Sequence, residues 1–215
     1  MKLGIIIPYY KNSNACERNF KMLMEVLVKQ LNDNIILYIY EDGQYSNWLT
    51  KYSKHNIYIT GDDTNHGVSY ARNTGLDFMF NIEKNIDYIL FLDSDDMIDL
   101  NYINKMCRVM YQKKYDILES RFFIRDMLLK YNKSDIRDGV CGQCIRASLI
   151  KDIRFNENIC IGEDTLFMRD LWNNRKLIKK LVETNYYYNL GDNRNSLWMR
   201  FQRHEIEPDK VMEGK

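Results

Sequence analysis

Four aspartates stand within seven positions of the chain, at the end of the stretch YILFLDSDDMID (residues 88–99). They are Asp93, Asp95, Asp96 and Asp99. Carboxylates this close repel one another, and at neutral pH all four are ionised if they keep their ordinary pKa values. Two explanations follow: the acids bind a cation, or they only form the turn after a strand and cap the next helix.

A divalent cation would use the first two of these acids. Mg²⁺ and Mn²⁺ prefer one or two carboxylates together with phosphate oxygens of a substrate. Asp93 and Asp95 point to the same side if the backbone between them is extended, so both can face one ion. Asp99 lies just before the segment NYINKM, and we expect it to cap that helix, whereas Asp96 fits both explanations.

Strands and helices must alternate along the chain to position these acids. Near-continuous apolar runs predict buried strands at 3–7, 34–40, 56–60, 87–93 and 115–120. Apolar residues at helical spacing predict helices between them, the first at 15–31. This alternation predicts an α/β fold with a mostly parallel, doubly wound (Rossmann-like) sheet flanked by helices. After residue 120 we expect a smaller antiparallel part, a helix in GEDTLFMRDLW and a late strand in LIKKLVETNYYYNL.

Polar residues follow three of the predicted strands, in the segments PYY (8–10), EDG (41–43) and DSDD (93–96). Ligands of open α/β sheets bind beyond the carboxyl ends of the strands, so we expect these segments to meet at one edge. Neither a GxxxxGK[ST] loop nor a GxGxxG loop follows a strand. If this edge binds phosphates, it therefore needs a divalent cation held by oxygen ligands.

The charge balance argues against nucleic acid as a partner. The chain has 31 Lys and Arg against 30 Asp and Glu, whereas a protein that binds through a basic field would be more lopsided. No stretch reaches the roughly 18 apolar residues of a transmembrane segment, and the first apolar run is too short for a signal peptide, so we expect a cytoplasmic protein. The five cysteines, including CGQC at 141–144, are expected to be reduced thiols, because no second CxxC or HxxxH completes a zinc site.

Five segments occur in the order found in the family 2 glycosyltransferases, which have the GT-A fold, and over about residues 3–190 the chain resembles this family. LGIIIPYYKN resembles the opening strand and nucleotide-binding turn. YIYEDGQ resembles the DDGS segment, with Glu41 in place of the first aspartate and Gln44 in place of the serine. NHGVSYARNTGLD matches the N-x-G-x-x-x-ARN-x-G helix, LFLDSDD fits the DxD motif, and GEDTLFMRDLW fits the helix that carries the catalytic base.

The resemblance implies a donor site for a nucleotide sugar. Asp42 would accept a hydrogen bond from uracil if the donor is UDP-linked, and Arg72 would approach the nucleotide or its phosphates. The family also implies a nucleotide-binding turn at Pro8, Tyr9 and Tyr10. Asp93 and Ser94 would lie beside the ribose and the metal. Asp93 and Asp95 would be ligands of Mn²⁺ or Mg²⁺.

The resemblance also implies an inverting reaction with Asp164 as general base. Asp164 would remove the proton of the acceptor hydroxyl as it attacks the anomeric carbon, while the cation stabilises the departing diphosphate. The residues alone allow simpler roles as well. Asp164 is an acid at the start of a predicted helix, where it meets the helix dipole, and Arg72 suits a surface ion pair.

We therefore expect one GT-A domain over residues 1–190, with a nucleotide-sugar-binding half at 1–98 and an acceptor and catalytic half at 99–190. Residues 191–215 would form a polar tail or lid, or contact a membrane surface peripherally. The acceptor would be a carbohydrate, lipid-linked or protein hydroxyl. Two alternatives stay open: an inactive GT-A domain that binds nucleotide sugars or a partner protein, and a sugar-phosphate nucleotidyltransferase.

Overall fold

The computed structural model describes residues 1–83, 85–125, 131–134, 139–173 and 176–188. The predicted tail at 191–215 lies outside the described residues. Within the described ranges, none of the helices combines the length and the apolar composition needed to cross a membrane.

The first half of the chain alternates strands and helices, as predicted. Its strands are β1 (Leu3–Tyr9), β2 (Ile35–Asp42), β3 (Ile57–Asp62), β4 (Tyr88–Phe91) and the short β5 (Met97–Ile98). Its helices are α1 (Asn14–Leu27), α2 (Val68–Asp77) and α3 (Tyr102–Met110), with a 3₁₀ turn at Thr50–Tyr52 and a π-helical turn at Phe78–Glu83.

The second half contains more strands than helices. Its strands are β6 (Ile117–Arg125), β7 (Tyr131–Ser134), β8 (Gln143–Arg146) and β9 (Lys179–Tyr188). Its helices are the single turn α4 (Ala147–Ile150) and α5 (Glu163–Trp172). The predicted helix in GEDTLFMRDLW and the predicted late strand are therefore confirmed, whereas β5 and β8 were not expected.

The described strands form one sheet in the order β3-β2-β1-β4-β8-β6-β9-β5, with β7 paired to β6. β3, β2, β1 and β4 are parallel, and β8 runs antiparallel between β4 and β6. β9 pairs in parallel with β6 and antiparallel with β5. The fold is therefore the expected mostly parallel α/β sheet with an antiparallel part in the second half.

Local sequence explains how the helices pack on this sheet. The side chain of Ser13 caps α1 by accepting from the backbone N–H of Cys16 at 3.1 Å, and an apolar stripe buries one face of the helix. On α2, a Cβ at Gly75 would lie 2.6 Å from Cγ2 of Ile6, so only glycine lets this helix approach β1 so closely. This contact holds α2 against β1, and Arg72 on the same helix reaches Asp93 beyond the end of β4.

The five cysteines form no disulfides among the described residues, in agreement with the expected reduced thiols. Cys16, Cys141 and Cys144 are buried, and Cys107 and Cys160 are half-buried. Burial raises the pKa of Cys141 and of Cys144 well above the ordinary range, so both are protonated thiols at neutral pH. CGQC is thus neither a disulfide nor a thiolate pair in this fold.

Candidate active site

The carboxyl ends of β1, β2 and β4 lie side by side, which confirms the expected convergence of the polar segments. β1 pairs in parallel with both neighbours, so that Tyr9 lies opposite Glu41 and Ile6 lies opposite Phe91. The segments PYY, EDG and DSDD therefore leave the sheet at the same edge.

The DSDD segment is a turn and not an extended strand end. β4 ends at Phe91, and the backbone N–H of Asp96 donates to the carbonyl oxygen of Asp93 at 3.3 Å. The backbone is therefore not extended here, and the condition under which Asp93 and Asp95 would point to the same side is not met. Ser94, between them, is buried. The metal-binding role of the two acids stays a prediction, and a shared ion would have to be reached from this turn.

Asp96 is a buried hydrogen-bond acceptor. Its Oδ2 accepts from the hydroxyl of Tyr186 at 2.5 Å, and the same hydroxyl accepts from the backbone N–H of Asp93 at 3.3 Å. Burial, together with the charge of Asp96, raises the pKa of Tyr186 far above its ordinary value. The hydroxyl of Tyr186 therefore links the DSDD turn to β9 through these hydrogen bonds. The segment YYYN in the sequence did not reveal this role.

Asp99 anchors β9 and does not cap α3, so the cap prediction is wrong. The N-cap of α3 is Asn101, without a side-chain cap. Asp99 instead accepts from the backbone N–H of Asn185 at 2.9 Å, from Thr184 at 3.2 Å and from the hydroxyl of Tyr187 at 3.0 Å. The neighbouring acids of this stretch thus serve structural contacts 85 to 90 positions away in sequence.

Arg72 is a buried cation at the centre of the site. Its Nη2 donates to Oδ1 of Asp93 at 2.9 Å, and its Nη1 donates to Oε1 of Glu163 at 2.8 Å. Burial alone would lower the pKa of Arg72, but Asp93 and the other nearby acids raise it well above its ordinary value. The alternative of a surface ion pair is therefore wrong, because only 3% of the side chain is exposed. Its predicted contact with the nucleotide stays a prediction.

Glu163 and Asp164 open α5 beside this cation. The helix follows Gly162, whose φ is 83°. Burial raises the pKa of Glu163 to about 7, against the opposing effect of Arg72. Burial also raises the pKa of Asp164, while Arg72 lowers it and Asp93 raises it. Asp164 therefore lies close enough to Asp93 for the two carboxylates to interact electrostatically. A raised pKa suits a general base.

Glu41 and Asp42, the two acids at the end of β2, accept hydrogen bonds from backbone N–H groups of nearby loops. Asp42 is buried, and its two carboxylate oxygens accept from the backbone N–H groups of His66 at 2.7 Å and Gly67 at 2.9 Å. Glu41 accepts from the backbone N–H of Ser46 at 2.7 Å, which explains a longer acid at this position. A carboxylate has further lone pairs, so the predicted uracil contact of Asp42 remains a prediction.

The PYY segment belongs to β1 as far as Tyr9, so the expected turn begins later than predicted. The ring of Tyr9 is fully buried against Phe20, with 4.4 Å between the ring centroids. A nucleotide contact from Tyr9 would therefore come from its backbone. Pro8 is half-buried, and Tyr10 is the residue of the three that exposes its side chain, at 45%.

The acids of the site fit a cation that a substrate helps to hold. Within the described residues, no three His, Cys, Asp or Glu side chains are grouped to bind a metal by themselves. Mg²⁺ and Mn²⁺ commonly use one or two carboxylates and complete their coordination with phosphate oxygens and water, so the binding of such an ion by Asp93 and Asp95 stays a prediction.

Known proteins resemble this chain in sequence and in fold. The sequence model described as "Glycosyl transferase family 2" matches residues 4–175. The minor teichoic acid biosynthesis protein GgaB of Bacillus subtilis (strain 168) is 26% identical over 168 residues, which are 69% of this chain and 18% of GgaB. The chain spans between 17% and 30% of the length of the curated relatives that it matches.

Solved structures share the fold. S. aureus TarS 1–349 in complex with UDP-GlcNAc is 20% identical, with a TM-score of 0.67 over 88% of this chain and 58% of that chain. GalNAc-T7 with UDP, GalNAc and Mn²⁺ is 9% identical, with a TM-score of 0.63 over 89% of this chain and 45% of that chain. The family match covers most of the chain, and the chain belongs to glycosyl transferase family 2, with a GT-A fold.

Proposed function

We propose that this chain transfers a sugar from a UDP-sugar to an acceptor hydroxyl, with inversion at the anomeric carbon and with the help of Mn²⁺ or Mg²⁺. One observation carries the proposal: Arg72 joins Asp93, the first acid of the DxD turn, to Glu163, the residue before Asp164. The donor-side acid and the candidate base thus belong to a single charged cluster at the edge where the strands end.

The donor side is assigned to the first half of the chain, residues 1–98, and the acceptor side to 99–190. The turn after β1, the end of β2 and the DSDD turn would surround the nucleotide at the shared edge. TarS was solved with UDP-GlcNAc and GalNAc-T7 with UDP and Mn²⁺, and these ligands motivate a UDP-sugar and a divalent cation here. The acceptor would be a carbohydrate, a lipid-linked glycan or a protein.

The cation would be held by Asp93 and Asp95 and would stabilise the negative charge that develops on the diphosphate. Arg72 orients Asp93, because its guanidinium donates to that carboxylate from a buried position. Asp164 holds one oxygen, Oδ1, on the backbone N–H of Thr165 at 2.8 Å. Its other oxygen, Oδ2, would take the proton of the acceptor hydroxyl from the face opposite the leaving group.

The test begins with a thermal-shift screen of nucleotide sugars in the presence of Mn²⁺, followed by a UDP-release assay with UDP-GlcNAc and water or a glycan acceptor. Asp164→Asn should bind UDP as the wild type does and lose about 10²- to 10⁴-fold in kcat, the usual contribution of a general base. Asp170→Asn is the matched control, since Asp170 is an exposed acid on the same helix. Unchanged turnover in Asp164→Asn would remove this residue as the base.

A further inference from the structure

We propose that Gly139 is a positioning residue for Asp164: the missing side chain at position 139 leaves the space in which the carboxylate lies. A Cβ added to Gly139 would lie 2.2 Å from Oδ2 of Asp164 and 3.3 Å from its Cγ. No side chain tolerates the first distance, so the two groups exclude each other. The inference rests on the proposed role of Asp164 as the base.

The carboxylate of Asp164 has little freedom to move away. Its Oδ1 accepts from the backbone N–H of Thr165 at 2.8 Å, so a displaced Oδ2 would break or bend this bond. The preceding residue, Glu163, is buried and held by Arg72 at 2.8 Å. The backbone at the start of α5 is therefore tied down, and the short Asp164 side chain can respond only by rotating.

Gly139 itself belongs to a turn that is fastened to the sheet. The buried side chain of Gln143 donates through Nε2 to the carbonyl oxygen of Gly139 at 2.6 Å. The backbone N–H of Gly142 donates to the carbonyl oxygen of Phe91, at the end of β4, at 2.8 Å. The response to a methyl group at position 139 therefore falls on the carboxylate of Asp164 and not on the backbone of Gly139.

The same turn also reaches the charged cluster. The Sγ of Cys141 lies 3.5 Å from Nη2 of Arg72, which donates to Asp93. The segment CGQC has no predicted metal or redox role. In the structure its turn packs against the charged cluster of the candidate active site. Gly139 is the residue of this turn that lies against the proposed base.

A double-mutant cycle tests the proposal with UDP release from UDP-GlcNAc in the presence of Mn²⁺. Gly139→Ala should lower kcat by about 10²-fold, the effect of misplacing a catalytic group by about 1 Å, with the KM for UDP-GlcNAc changed less than twofold. Because the effect passes through Asp164, the double variant Gly139→Ala/Asp164→Asn should have the same kcat as Asp164→Asn alone. Asp170→Asn is the control: Asp170 is an exposed acid on the same helix as Asp164, so its effect should multiply with that of Asp164→Asn.

The outcomes separate the two proposals. If Asp164→Asn is inactive while Gly139→Ala turns over like the wild type, only the role of Gly139 is overturned. It is equally overturned if the two losses multiply in the double variant. A fully active Asp164→Asn removes the base and the role of Gly139 with it.

A second measurement covers poor folding of Gly139→Ala. Asp164→Ala removes Oδ2, so in that background Gly139→Ala should lower Tm less than it does in the wild type. If it lowers Tm equally in both backgrounds, the clash is not with the carboxylate and the proposal fails.

Discussion

Replacing Arg72 by methionine removes the buried cation that lies between the buried acid Glu163 and the half-buried acid Asp93. The guanidinium donates to Asp93 at 2.9 Å and to Glu163 at 2.8 Å, and the exposed fractions of the Arg72 and Glu163 side chains are 3% and 9%. Breaking such a buried ion pair from one side costs about 3–5 kcal/mol, because it leaves uncompensated charge in a poorly solvated place. A chain of this size loses about 2–4 °C in Tm per kcal/mol, so Arg72→Met should lower Tm by about 6–20 °C.

Arg72→Lys should fall between the wild type and Arg72→Met. Lysine keeps the positive charge, but a single ammonium group cannot donate to both carboxylates with the fixed fork of a guanidinium. Arg154→Met is the control, since Arg154 pairs with Asp77 at the surface, where the exposed fractions are 35% and 56%. An exposed pair of this kind contributes about 0–1 kcal/mol.

The loss should also depend on pH. Burial raises the pKa of Glu163 from its ordinary 4.5 to about 7. Because this pKa is higher in the folded protein than in the unfolded chain, the protonation of Glu163 adds to the free energy of unfolding. This contribution is complete below pH 4.5 and is lost as the pH rises through 7. Without Arg72, the ionised Glu163 is still less favourable, so Arg72→Met should be closer to the wild type at pH 5.5 than at pH 8. Adding Glu163→Gln, which removes the titrating group, should reduce this difference.

Thermal unfolding followed by circular dichroism at both pH values measures these differences. A Tm of Arg72→Met within about 2 °C of the wild type at pH 8, or equal to that of Arg154→Met, would refute the buried link. In that case Asp93 and the start of α5 would be held together by something other than this cation.

Two further outcomes are expected. Asp99→Ala removes the acceptor of the Asn185 backbone N–H and of the Tyr187 hydroxyl. It should lower the free energy of unfolding by about 1–3 kcal/mol and speed hydrogen exchange at Asn185. An unchanged exchange rate would contradict the anchoring role of Asp99. Excess EDTA should reduce UDP release to background, with recovery on adding Mn²⁺ or Mg²⁺, and Asp95→Asn should raise the Mn²⁺ concentration needed for half-maximal rate; full activity in EDTA would contradict a metal-dependent reaction.

Much of the fold could be predicted because it depends on local pattern. A strand buried on both faces is a near-continuous apolar run, and β1, β4 and β2 before its last two residues are such runs. β8 could not be predicted in the same way. It is a four-residue strand that begins inside CGQC, and its position between β4 and β6 comes from pairings with distant residues.

The candidate site shows the same division. The expected meeting of the DxD turn with the residues after β1 and β2 is an outcome of parallel strand order, which alternation of strands and helices already implies. The geometry of the turn itself was left open by the sequence, and the structure shows a turn with a hydrogen bond between the backbones of Asp96 and Asp93. Tyr186 and Glu163 were missed as site residues because their partners lie 90 and 91 positions away.

The sequence by itself determined the residue types available at the edge of the sheet: four aspartates after β4, an arginine on α2 and two acids at the start of α5. Only the tertiary structure decided what each acid does there. Asp93 pairs with Arg72, Asp96 accepts from Tyr186, and Asp99 holds β9. The reason is that the free energy of a carboxylate depends on its burial and on the atoms that surround it, and here those atoms come from elements far apart in the chain.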